Sequence, residues 1–153
     1  MSMDDDAWAR HANPWSVWTR FSCLPLICLA VWSRVWIGWW AVLAVALAVF
    51  WTWLNPRLFS PPRSTDSWAS RGALGERLFL NRKQVAIPPH HERAALLLAW
   101  ASATGLPPLI YGLWALDFWA TVAGVVLTVG PKFWFVDRMV WLQRDMQRET
   151  PDE

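Results

Sequence analysis

Few residues in this 153-residue chain have both the type and the spacing to do chemistry. The three histidines come first. His11 opens the run His11-Ala12-Asn13-Pro14-Trp15-Ser16-Val17-Trp18-Thr19-Arg20, where an imidazole, an Asn cap and an Arg stand beside a predicted helix start. His11 is the one candidate proton carrier, and a weak one. It would need a carboxylate such as Glu76 or Asp137 brought to it from another segment. His90-His91-Glu92 invites a metal reading, but adjacent helical positions do not share a face, and neither His has a second His four residues away. No metal site and no cofactor is therefore expected. Cys23 and Cys28 lie in an apolar run, point apart on a helix and read as buried hydrophobes. No Gly-rich phosphate loop, Gly-x-Ser-x-Gly elbow or Cys-x-x-Cys pair occurs.

What remains is anion chemistry. Asn13 and Arg20, then Asn55-Pro56-Arg57, then Glu76-Arg77 with Asn81-Arg82, and finally Arg138 form short polar runs at predicted helix ends. Arg guanidinium forks together with a capped helix terminus suit phosphate, so the expected ligand is an anionic lipid head group. The competing reading is that these Arg residues snorkel and set orientation, with the Asn residues serving only as caps.

The elements that must position these residues are membrane-like. Apolar residues make up 55% of the chain against 17% charged, and 15 residues are Trp, the side chain that collects at the water–lipid boundary. A net charge of +2 is too weak a field for a nucleic-acid binder. Residues 21–54 carry a single charge, Arg34. As one helix they would extend about 51 Å against a hydrocarbon core of about 30 Å. A hairpin is the favoured reading: one span over 14–33, capped by Asn13 with Pro14 at its first position, and one over 35–54, stopped by Asn55-Pro56. The alternative is one long tilted helix with Arg34 near mid-membrane.

A second pair, 94–116 and 118–136, meets at Asp117. Pro107-Pro108 is expected to break or kink the third span and Pro131 the fourth, after which residues 137–142 would run along the surface and the tail, 143–153, would fray from Arg148. The fold class is thus an all-α membrane protein, four short transmembrane helices in two hairpins forming one domain. Between the hairpins, in the loop 55–93, an interfacial amphipathic helix over 67–80 is expected, capped by Asp66, with Trp68, Leu74, Leu78 and Phe79 opposite Ser70, Glu76 and Arg77.

Of the 14 basic residues only Arg34 falls in an outer turn. Basic residues flanking spans are retained in the cytoplasm, so both termini and the 55–93 loop are expected there, in an inner membrane. The acidic start, Asp4 to Asp6, gives no signal peptide. The spans hold no carboxylate or His near mid-bilayer, which disfavours a small transporter. Small residues at helical spacing (Ala44 and Ala48; Ala101 and Gly105; Ala120, Gly124 and Thr128) permit close packing, within the bundle in preference to a homo-oligomer. The expected partners are membrane lipids, with a packing or interaction role first and a lipid-modifying enzyme at the cytoplasmic face as the alternative.

The His11 to Arg20 run, Trp53-Leu54-Asn55-Pro56-Arg57-Leu58-Phe59, Glu76-Arg77 with Asn81-Arg82, Tyr111-Gly112-Leu113-Trp114 with Asp117, and Lys132-Phe133-Trp134 leading to Asp137-Arg138-Met139-Val140-Trp141 together resemble an uncharacterised family of small prokaryotic membrane proteins, classed as a domain of unknown function. The resemblance covers His11 to Met146. It implies a location and an architecture, and supplies no substrate, cofactor or catalytic residue.

Overall fold

The computed structural model describes residues 5–149, with side chains from 8 to 148. Among them every regular element is a helix: α1 (Asp5–His11), α2 (Pro14–Phe21), α3 (Cys23–Trp32), α4 (Arg34–Ile37), a 3₁₀ turn (Gly38–Trp40), α5 (Ala41–Leu58), α6 (Trp68–Leu80), α7 (Pro89–Ala103), α8 (Leu106–Ala115) and α9 (Phe118–Glu149). The acidic start up to Asp4 and the tail beyond Glu149, where fraying is expected, lie outside the described residues.

Local chemistry sets several of these boundaries. Asn13 caps α2 by accepting from the Trp15 backbone N–H, with Pro14 at the first helical position. The expected span 14–33 breaks at Ser22, because Pro25 has no N–H to return to the Phe21 carbonyl. The chain reverses at Gly38 and not at Ser33-Arg34. Gly38 has φ of +55°, where a side chain is penalised, and α3 then packs on α5. Asn55-Pro56 does not stop α5, which continues to Leu58 with Pro56 inside it. Asn55 is fully buried and donates from Nδ2 to Thr19 Oγ1 (2.6 Å), so it ties α5 to α2 instead of capping. Pro107 and Pro108 do mark a break: α7 ends at Ala103, and both prolines sit in the first turn of α8, where a missing N–H costs nothing.

The largest departure concerns the last helix. α9 runs unbroken for 32 residues, about 48 Å, straight through Pro131. Gly130 precedes that proline and has no Cβ to collide with its ring, which relaxes the usual restriction. The segment expected to lie on the surface is the heart of the core: Met139, Val140 and Leu142 are all 2% exposed or less. With Phe79, Ala95, Phe135 and Val136, Met139 and Leu142 form a cluster flanked by Phe21, Trp68, Leu78 and Ile87. α7 and α8 run antiparallel along α9, with Ser102 Oγ donating to the Thr128 carbonyl (2.7 Å) and Gly112 against Thr121. Gly105 of the break and Gly124 of α9 also sit at points of close approach, inside the chain.

α6 packs chiefly through its small residues, with Phe79 its one buried bulky side chain. Its buried side is Ala69, Ser70, Gly72, Ala73, Gly75 and Phe79, and it packs parallel to the second half of α9, Gly72 meeting Val136 and Gly75 meeting Met139. Ser67, and not Asp66, caps it by accepting from the Ser70 N–H.

The other half of the molecule is the reverse of a soluble core. Leu29, Val42, Leu43, Leu47, Phe50, Leu97, Trp100, Ile110, Trp119 and Val126 are all exposed. So much contiguous apolar surface demands a non-aqueous neighbour. Three stretches, Pro14–Leu58, Pro89–Ala115 and Phe118–Arg148, are long and apolar enough to cross a membrane, the first of them containing the reversal at Gly38.

Candidate functional site

At the end of the bundle where α1, α2, α6 and the middle of α9 meet there is a cavity of about 260 Å³. His11, Arg20, Glu76 and Lys132 supply its polar wall, and Val17, Phe21, Ala73 and Val136 are among its apolar residues. Each polar group arrives from a different element. His11 ends α1 and is turned inward by the Ala12-Asn13 step, where Ala12 is 2% exposed beside Val17, Ala69 and Ala73. Arg20 sits in the last turn of α2, and Glu76 is the residue after Gly75, whose bare Cα lets α6 approach the α9 backbone. Lys132 follows Pro131 on α9.

Arg20 is the hub. Its Nη1 lies 2.6 Å from His11 Nε2 and its Nη2 3.1 Å from His11 Nδ1, while Nη2 also donates to Ser16 Oγ at 3.2 Å. A neutral imidazole has one bare nitrogen, so one of the two ring contacts is a hydrogen bond and the other a close neighbour. Burial, then the adjacent Arg20 charge, lowers the His11 pKa to about 4, with Glu76 pulling the other way. His11 is thus neutral at pH 7 and serves as acceptor to the guanidinium. Lys132 Nζ donates to Glu76 Oε1 (3.2 Å) and sits 4.3 Å from the centre of the Phe135 ring. Two cations face one carboxylate, which leaves the wall with one surplus positive charge.

An aromatic group stands beside the cavity. Trp68 stacks on Trp18 (5.5 Å between centroids) and on Phe133 (5.1 Å), Phe21 lies 4.9 Å from Phe133, and Trp68 Nε1 donates to Asp137 Oδ1 (3.0 Å).

The residues expected to form one ring divide into several places. His11, Arg20 and Glu76 share the cavity. Asn13 and Asn55 lie near it as struts, Asn13 donating to the Ser60 carbonyl (2.8 Å) and Asn55 to Thr19. Arg57 folds onto its own helix, donating to the Trp53 carbonyl with its guanidinium 4.1 Å from the Trp53 ring centre. Arg77 and Asn81 line a different depression with Gln143 and Gln147. Arg82 bonds Glu92 (3.1 Å) and the Phe79 carbonyl (3.1 Å). Arg138 is half-buried on α9 and lines neither cavity. Lys132 completes the cavity wall, and its sequence signal is that of a lone cation interrupting the apolar run 118–136.

At the opposite end, Arg34 is a structural clasp: Nη2 donates to the carbonyls of Leu113 (2.6 Å) and Trp114 (2.7 Å) in the last turn of α8.

Over residues 1–153 the sequence matches the model of a family of unknown function, DUF6653. No curated protein and no solved structure matches it.

Proposed function

The chain belongs to the DUF6653 family of unknown function, and we propose that it is a multi-pass membrane protein that binds an anionic lipid head group in the cavity of Arg20, Lys132, His11 and Glu76. The observation that carries this reading is the pairing of two cations with an apolar back wall in one cavity: a phosphate engages Arg20 and Lys132 while the glycerol and first methylenes lie along Val17, Phe21 and Val136. The four-span arrangement suits it. In that arrangement α3 and α5 make one hairpin and α7–α8 with the first half of α9 the other, with both termini, the cavity and nearly all basic residues on the cytoplasmic side. From Asp117 to Lys132 α9 rises about 22 Å, so with Lys132 reaching outward the cavity falls at head-group depth.

A catalytic role for His11 fits less well. Although His11 and Glu76 share the cavity, the imidazole's bare nitrogen is occupied by Arg20, and a pKa of about 4 makes it a feeble base at neutral pH. Native mass spectrometry of the protein in mild detergent tests the reading. Wild type should retain an anionic phospholipid. Losing one charged donor should cost about 1.5–3 kcal/mol, so Arg20→Gln and Lys132→Gln should release it while Arg57→Gln keeps it. No retained lipid in wild type, or retention in both cavity variants equal to that of wild type, refutes the head-group site.

A further inference from the structure

His90 and His91 are neighbours in sequence, and helical geometry would turn them apart. In the first turn of α7 they are nonetheless brought together, with ring centroids 4.1 Å apart and planes inclined by 39°. Asp145, near the far end of α9, closes against them, its Oδ2 lying 2.9 Å from His91 Nε2. One ligand atom from each of the three side chains lies within 4.8 Å of the other two.

We propose that His90, His91 and Asp145 form a binding site for a divalent first-row transition cation, of which zinc is the natural probe. The donor set decides the class: two imidazoles with one carboxylate suit zinc, cobalt or nickel, whereas magnesium and calcium select oxygen ligands. Two ligands each about 2.1 Å from a tetrahedral ion are about 3.4 Å apart, so His91 Nε2 and Asp145 Oδ2, 2.9 Å apart, need separate by only about half an ångström to share one. A further, independent observation comes from the buried side of His91. The residue is 2% exposed, and its Nδ1 is enclosed without a hydrogen-bond partner. Such an orphaned polar atom calls for a ligand, an ion or a water. With Nε2–H donated to Asp145, the Nδ1 lone pair is bare, and the carboxylate then orients the imidazole as outer-shell carboxylates do for metal-bound histidines. With the other tautomer, Asp145 is itself a ligand.

Rigidity and access are both provided. Ala95, one turn after His91, is fully buried against the α9 core, which fixes the register of α7 on α9. His90 is exposed and Asp145 half-buried, so an ion can enter from solvent and keep water in the remaining positions. Arg148, one turn beyond Asp145, competes for the carboxylate and sets a ceiling on affinity.

The test uses untagged full-length protein in detergent, stripped with a chelator and titrated with zinc against a chromophoric indicator. Wild type should take up one zinc per chain at micromolar concentration or below, and cobalt(II) should develop visible ligand-field absorption. His90→Ala, at an exposed position that leaves packing intact, should weaken zinc binding at least tenfold and abolish the cobalt spectrum. Asp145→Asn, similar in shape, should weaken it by a comparable factor. The proposal is overturned if wild type binds zinc no more tightly than His90→Ala, or if stoichiometric binding persists unchanged in both variants, which would put the ion elsewhere.

Discussion

Two glycines on α6, three residues apart, should respond to the same substitution in different ways. A Cβ at Gly72 would come 2.6 Å from Val136 Cγ1, with the nearest backbone atom, the Val136 carbonyl oxygen, at 3.4 Å. The obstacle is a side chain. A Cβ at Gly75 would fall well inside contact distance of the Met139 carbonyl oxygen, 2.6 Å from its carbonyl carbon and 3.0 Å from its Cα. There the obstacle is the main chain. Helix propensity favours Ala over Gly by about 0.8–1 kcal/mol at both positions, so any destabilisation must overcome that gain. Overpacking at Gly72 costs about 1–3 kcal/mol, and Val136→Ala alone, deleting two buried methyls, costs about 1–2 kcal/mol. In the double variant the new methyl occupies the vacated space, and the two changes should offset each other by about 1–2 kcal/mol. Gly75→Ala has no such remedy. α6 must retreat from α9 by about an ångström or more, which also draws Glu76 away from Lys132, so a loss of about 3 kcal/mol or more is expected, independent of Val136. Thermal unfolding in detergent reads this as a fall of roughly 6–12 °C, at about 2–4 °C per kcal/mol for a chain of this size. The packing argument fails if Gly75→Ala melts within about 2 °C of wild type, or if Val136→Ala rescues it as well as it rescues Gly72→Ala.

Acid should loosen the same end of the bundle. Because the folded His11 pKa is about 4 against 6.5 when unfolded, only the unfolded state takes up this proton between those values. Stability should therefore be unaffected above pH 6.5 and decline as pH falls toward 4, by about 2 kcal/mol once partial solvent screening is allowed for. His11→Gln should flatten that part of the melting-temperature profile, and an identical slope in the variant would assign the decline to other groups. Arg34→Gln strips the α8 terminus of a charged donor to two carbonyls and should cost about 1.5–3 kcal/mol in the same melting assay. If Arg34 served only as a tolerated exception to the charge asymmetry, its loss would be neutral or beneficial.

The parts of the fold that were legible in the sequence are those governed by neighbours in the chain. Asn13-Pro14 starts a helix because the cap and the first-turn proline act within two residues of each other, and Pro107-Pro108 marks a break for the same reason. Misreadings arose where a distant partner changed a local rule. Asn55 has the chemistry of a stop, yet Thr19, 36 residues away, takes its amide and keeps it helical. Pro131 looked like a break until Gly130 before it is considered. On α6 the bulky residues suggested the packing face, whereas two helices that touch backbone to backbone choose the small one, Gly72, Ala73 and Gly75. The candidate sites divide the same way: His11 and Arg20 share one run, but Lys132 and Asp145 lie far along α9, and only tertiary packing brings them to their partners.

That α6, α7 and α8 each make their largest contact with α9 has a bearing on how the chain is made. Synthesis delivers the hairpin of α3 and α5 early, and it can close as soon as Leu58 has emerged. The three helices that follow have no such partner among themselves. Gly72, Gly75, Gly105 and Gly112 present bare backbone to a helix that does not yet exist, and Ser102 and His91 wait for Thr128 and Asp145. More than a third of the protein must therefore be held by the insertion machinery or by lipid until its closing 32-residue helix arrives, so an interrupted chain ending before residue 118 would leave a set of unmatched surfaces for quality control to recognise.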